Sequence, residues 1–118
     1  MLLRTPAAHR IDRLIHAAGE TLHAPHLIDV EVVHVLRRYV ASAAISAQRG
    51  LEAVTDLMDF PIRRYSHTMF LARVWELRHR LTAYDAAYLA LAEALDAPLL
   101  TRDRALAKAD SWARIEVV

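Results

Sequence analysis

Cysteine is absent from the chain, which excludes a disulfide framework and thiolate metal sites and suits a reducing, cytoplasmic setting. Glycine occurs twice and proline four times in 118 residues. That composition leans to helix and leaves no disordered or low-complexity part. No apolar run approaches the roughly 20 residues of a membrane span, so no membrane association is expected. The opening MLLRTPAAHRIDRL meets charge too early for a signal peptide. Lysine is nearly missing: Lys108 stands alone against fourteen arginines. The net charge is only +1, which excludes the strong basic excess of a nonspecific nucleic-acid binder. A GC-rich genome accounts for the arginine bias, yet the same bias supplies planar forks of donors that hold phosphate. Aromatics are few. Trp75, with Leu71, Val74 and Leu77, reads as core or dimer interface and not as a base-stacking platform. Tyr84 and Tyr88 read as packing groups.

Hydrophobic residues make up 55% of the chain, enough for the core of one domain, residues 1–118, though small domains keep a thin margin of stability. Residues 6–18 read as a helix, with Pro6 at its start and Gly19 past its end. A short strand is expected at 20–23 and a second helix at 26–41. A third helix runs over 46–59, capped by Ser46 and ended by Pro61. Residues 61–65 read as a strand and 67–79 as a more polar helix. The stretch 82–96 is the most buried-looking helix, 98–101 a buried strand, 103–109 a helical turn and 115–118 a final strand. Helices alternate with short apolar strands, so the fold class is α/β with a mostly parallel sheet covered by helices on both faces.

Three acidic residues sit in places that ask for a reason, because buried charge needs a partner. Asp85 lies in LTAYDAAYLALAEAL, among Ala, Leu and Tyr, in a helix that is apolar all round. A carboxylate there pairs with Thr82 at the helix N-terminus or serves a site; both roles stay open. Asp103 follows the strand PLLT, where open parallel sheets place their sites, and it also fits as N-cap of the next turn. Glu31 shares a helical stripe with His34 and Arg38, opposite Val32, Val33, Leu36 and Tyr39; that stripe is either solvated surface or part of a site. Together the three make a candidate hard-cation set, since magnesium takes oxygen ligands and needs only one or two direct carboxylates. Seven histidines are present, but no spacing singles out an acid–base pair, and they read as surface or packing residues.

The stretches HAPHLIDVEVVHVLRRYV, LTAYDAAYLALAEAL and APLLTRDRALAKA, in this order and separation, resemble the PIN-domain ribonucleases of the VapC toxin family. Tyr84-Asp85-Ala86-Ala87-Tyr88 and Leu100-Thr101-Arg102-Asp103 carry most of the specificity. The resemblance implies a PIN-like α/β domain with a mostly parallel central sheet flanked by helices. It implies an acidic pocket for Mg²⁺ (or Mn²⁺), endonucleolytic cleavage of RNA, a cognate VapB-type antitoxin that occludes the pocket, and a homodimer. Glu31, Asp85 and Asp103 match the second, third and fourth acidic positions of the family pattern and are the expected catalytic and metal-binding residues. On that resemblance Asp85 would hold the ion, Glu31 would orient or deprotonate the attacking water, and Asp103 would bind metal or water from the other side. Arg37, Arg38, Arg63, Arg64 and Arg102 are candidate phosphate contacts.

The chain departs from the family at its start. Members open with an apolar strand ending in Asp, whereas Met1–Pro6 resembles the segment after that strand, so the first strand and first acidic residue are missing. Asp12 lies inside the first helix beside Arg10 and Arg13, and Asp29 points about 160° away from Glu31 around its helix; neither replaces the missing group. A start codon assigned too late is the favoured account and a true truncation the other. A catalytically impaired remnant that binds antitoxin or RNA is the second functional reading, and an interaction domain whose acids are all caps is the third. Adding the upstream in-frame residues is expected to raise both the thermal midpoint and the RNA-cleavage rate, and equal values for the short and extended forms would sink that expectation.

Overall fold

The computed structural model describes residues 21–101 and 115–117, and contacts group the chain into two compact units, Met1–Arg63 and Arg64–Val118. The helix expected over 6–18 and the helical turn over 103–109 lie outside the described residues.

The first unit runs through β1 (Leu22–Pro25), α1 (Leu27–Ala41) and α2 (Ala47–Asp59), and its boundary falls inside β2 (Ile62–Tyr65). β1 and β2 form a two-stranded sheet. β1 begins two residues later than expected, because Ala24 and Pro25 are the buried end of the strand. α2 starts where its cap dictates: Ser46 is extended, and its Oγ accepts a hydrogen bond from the Arg49 N–H at 3.1 Å. It stops where Pro61 forces Phe60 into extended backbone, φ −68° and ψ 134°. The turn between α1 and α2 places Ala43 at φ 61°, a left-handed conformation that costs an L-residue about 1 kcal/mol. Two hydrogen bonds hold it there, from Ala43 N–H to Val40 O and from Ala44 N–H to Tyr39 O, the pairing of a Schellman motif. The two helices then meet closely. A Cβ on Gly50 would lie 2.9 Å from Cγ2 of Val40, so only glycine fits without displacing a stiff β-branched side chain.

The second unit follows β2 with a 3₁₀ turn (Thr68–Phe70), α3 (Leu71–Glu76), α4 (Ala83–Leu95), β3 (Leu99–Thr101) and β4 (Ile115–Val117). β3 and β4 pair in parallel, Leu99 opposite Ile115, Leu100 opposite Glu116 and Thr101 opposite Val117. The architecture is the expected α/β type with parallel pairing. α4 is the buried helix foreseen at 82–96: Ala86, Ala87, Leu89, Ala90, Leu91 and Ala92 are all buried. One side of it joins Leu77 and Leu99, with Val74, Leu81, Tyr88 and Ile115 packed around. Ala90 and Leu91 join Phe70, Tyr65 and Val74. Asp96 ends the helix in the left-handed region, φ 49°, a conformation that Asp tolerates better than most residues. Pro98 follows.

The polar helix expected over 67–79 is shorter: a 3₁₀ turn, six residues of α-helix and a hydrogen-bonded turn over Leu77–Arg80. Six residues do not hold a helix by themselves, and an ion pair pins this one. Arg73 Nε donates to Glu93 Oε2 at 2.9 Å and Nη2 to Oε1 at 3.0 Å, while Nη1 donates to Glu76 Oε2 at 3.0 Å. The Glu93 side chain is 3% exposed, so a bidentate guanidinium is what permits a carboxylate inside α4. The guanidinium is held above its ordinary pKa, first by the hydrogen bond to Glu93, with burial opposing and Glu76 adding. A raised cation contributes its stability below its folded pKa, so the share owed to the guanidinium is present at neutral pH and falls away only when strong alkali deprotonates it.

Arg73→Leu is expected to lower stability by about 3 kcal/mol in urea unfolding, because Glu93 is left buried and unpaired. Combining it with Glu93→Leu should recover most of that loss, and a double variant as unstable as the single would refute the account.

Candidate active site

Asp85 is the third residue of α4. Thr82 caps the helix in extended backbone, and its Oγ1 accepts a hydrogen bond from the Asp85 backbone N–H at 3.2 Å. The cap is therefore made by the threonine hydroxyl, and the Asp85 carboxylate is not spent on it. That carboxylate is half-buried in the first turn, where the partial positive charge of the helix N-terminus favours an anion. Among the described residues it makes no ion pair. Cap and ligand are compatible roles.

Glu31 lies on α1 in the first unit, and burial varies along its expected stripe. It was expected in a stripe with His34 and Arg38, opposite Val33. His34, Arg38 and Val33 are exposed, whereas Glu31 is half-buried beside Ile28, Val32 and Val35. Ile28 and Val35 lie about one turn to either side of it on the helix. Glu31 has a polar partner there. Asp103, the third expected carboxylate, and Arg102 lie outside the described residues. Among the described residues no group of three His, Asp or Glu side chains is placed to hold a metal ion. Glu31, in the first unit, and Asp85, in the second, are each a half-buried carboxylate, the kind of oxygen donor that hard divalent cations take.

Of the expected phosphate contacts, Arg37, Arg38 and Arg63 are exposed and Arg64 is half-buried with a polar partner. His26, His34, His67 and His79 are at the surface, as foreseen. Tyr84 departs from expectation: Tyr88 packs in the core, but Tyr84, beside Asp85, is 65% exposed. Trp75, expected in core or a dimer interface, is 67% exposed and so lies outside the core. Val74 and Leu77 already fill the inward side of α3 and its following turn, so the core has no place for the indole. Sequence reasoning also missed Glu93 and its partner Arg73. The criterion that found Asp85, an acid inside an apolar helix, applies equally to Glu93.

Comparison with known proteins places the chain in a family. Residues 1–111 match the PIN domain family. The chain is 40% identical over 119 residues to Ribonuclease VapC12 of Mycobacterium tuberculosis, which spans all of this chain and 91% of that protein. It is 52% identical over 91 residues to Ribonuclease VapC1 of the same species, covering 74% of this chain and 66% of the relative. With Ribonuclease VapC9 the identity is 42% over 86 residues, 73% of this chain and 68% of the relative. The chain belongs to the PIN-domain family. Within that family it stands among the VapC proteins.

Two substitutions separate cap from site. Thr82→Ala is expected to cost about 1 kcal/mol by thermal unfolding, because it removes the acceptor for the Asp85 N–H. Asp85→Asn keeps that bond, so in chelator its midpoint should stay close to wild type. Saturating Mg²⁺ should raise the wild-type midpoint but not that of Asp85→Asn.

Proposed function

We propose that this chain is a divalent-metal-dependent endoribonuclease and the toxin half of a type II toxin–antitoxin pair. Its substrate is RNA, its protein partner a VapB-type antitoxin, its working form a homodimer of a single PIN domain spanning residues 1–118, and its place the cytoplasm. Among the described residues no helix is long and apolar enough to cross a membrane. The observation that carries the reading is Asp85: a half-buried carboxylate in the first turn of a helix whose cap is supplied by another side chain. The named relatives, all ribonucleases, support it.

In this reading Asp85, Glu31 and Asp103 hold Mg²⁺, with Mn²⁺ as a substitute. When bound, such an ion polarises a phosphate oxygen and makes water more acidic. Glu31 accepts the proton of the attacking water and orients its oxygen toward phosphorus. A new P–O bond forms, the bond to the leaving ribose oxygen breaks, and that oxygen takes a proton from solvent. Arg37, Arg38, Arg63, Arg64 and Arg102 are the proposed contacts to flanking phosphates, which position RNA without reading its sequence.

End-labelled RNA is expected to be cut internally by the purified chain with Mg²⁺ and left intact with chelator. Asp85→Asn and Glu31→Gln should each slow cleavage at least about 100-fold, as loss of a ligand or base does. Cleavage that ignores chelator, or an Asp85→Asn variant of wild-type rate, would overturn the proposal.

A further inference from the structure

The exposed indole of Trp75 is not a stray apolar group. The guanidinium of Arg78 lies over its ring, 4.5 Å from the centroid, and Arg78 Nη1 also donates to the Trp75 carbonyl at 3.0 Å. The cation is thus tied to the backbone of the residue whose ring it covers. With one face so occupied and the ring still 67% exposed, the other face is left to water. The platform is held from both sides along the chain. Two residues before Trp75, Arg73 is locked to Glu93; two residues after it, Leu77 is buried at 3% exposure. The turn that follows is closed by hydrogen bonds from Leu77, Arg78, Arg80 and Leu81. It presents three consecutive basic residues, Arg78, His79 and Arg80, all exposed.

We infer that Trp75 and the turn Arg78–Arg80 form a single-stranded RNA contact, in which a base stacks on the free indole face and the basic turn takes the adjoining phosphates. Three observations favour nucleic acid over other occupants. Aromatic faces and guanidinium planes are the two surfaces on which unpaired bases stack. A guanidinium already on one face makes the opposite face a cation-backed stacking surface. The run of three basic side chains complements a polyanion, in a chain whose net charge of +1 gives no general attraction. The contact rests on the ribonuclease reading and deepens it: this is where substrate is held outside the acidic residues. Rigidity is part of the argument, because a preformed platform loses little conformational freedom on binding.

Fluorescence tests it directly. The chain has two tryptophans, Trp75 and Trp112, so a Trp112→Phe protein reports Trp75 alone. In chelator, which prevents cutting, single-stranded RNA should quench this emission, and inorganic polyphosphate of equal charge should not. With Mg²⁺, Trp75→Ala should raise KM for a single-stranded substrate roughly tenfold and leave kcat within about twofold, with Trp75→Phe recovering most of the loss. Arg78→Ala should weaken binding less and shift the Trp75 emission. RNA binding by anisotropy with unchanged Trp75 emission would overturn the contact while sparing the ribonuclease proposal; absence of any RNA binding would overturn both. A Trp75→Ala variant that turns a dimer into a monomer in sedimentation while keeping its RNA affinity would assign the surface to a second copy of the chain and also overturn it.

Discussion

Burying a helix on every side leaves few places for charge, and the second unit is organised by how α4 handles the two carboxylates it buries. Glu93, near its end, is enclosed and neutralised by a bidentate guanidinium. Asp85, near its start, is half-buried and has a helix terminus for company. The same apolar environment thus treats two acids oppositely. One is fully satisfied and acts as an anchor; the other keeps its oxygen lone pairs available. Replacing a buried ion pair by well-packed hydrophobic groups is often neutral for stability, so Arg73–Glu93 is better understood as fixing where α3 sits than as adding strength. A six-residue helix placed that way becomes a rigid mount for what it carries outward.

Much of this was legible in the sequence because it is punctuated locally. Ser46, Thr82 and Pro61 mark helix ends through the hydrogen bonds they offer or deny, and the structure keeps all three boundaries within a residue. The all-round apolar stretch at 82–96 could only be an interior helix. The acids matched to the family pattern came from resemblance as much as from chemistry: periodicity alone put Glu31 with His34 and Arg38. A residue on a helix has neighbours at three and at four positions on both sides, so two stripes run through Glu31, and spacing does not say which faces inward. Its half-buried stripe is the one through Ile28 and Val35.

The misses have a shared cause. Of the two places offered for Trp75, core or interface, the core is excluded, because the rule that apolar residues are inside does not run backwards to every such residue. Whether an indole fits depends on volume already filled by Val74 and Leu77, which are neighbours in sequence but whose packing against α4 is not written locally. The break of the 67–79 segment was equally silent. No Gly or Pro marks it, and the turn after Glu76 is set by Leu77 entering the core. Glu93 itself was open to the criterion that found Asp85, but its partner Arg73 lies 20 residues earlier, beyond the reach of helical arithmetic.

Gly50 has a bearing on the proposed chemistry of Glu31, from which it is remote. Val40 and Glu31 ride on one α-helix nine residues apart, about 13 Å along the axis. A helix of that length behaves as a stiff lever, so a side chain wedged against Val40 would reach the far end of the rod as tilt. Reaction rates depend on ångström-scale alignment of the reacting groups. The vacancy of a single methyl group thereby becomes an alignment constraint on a carboxylate more than two turns of helix away.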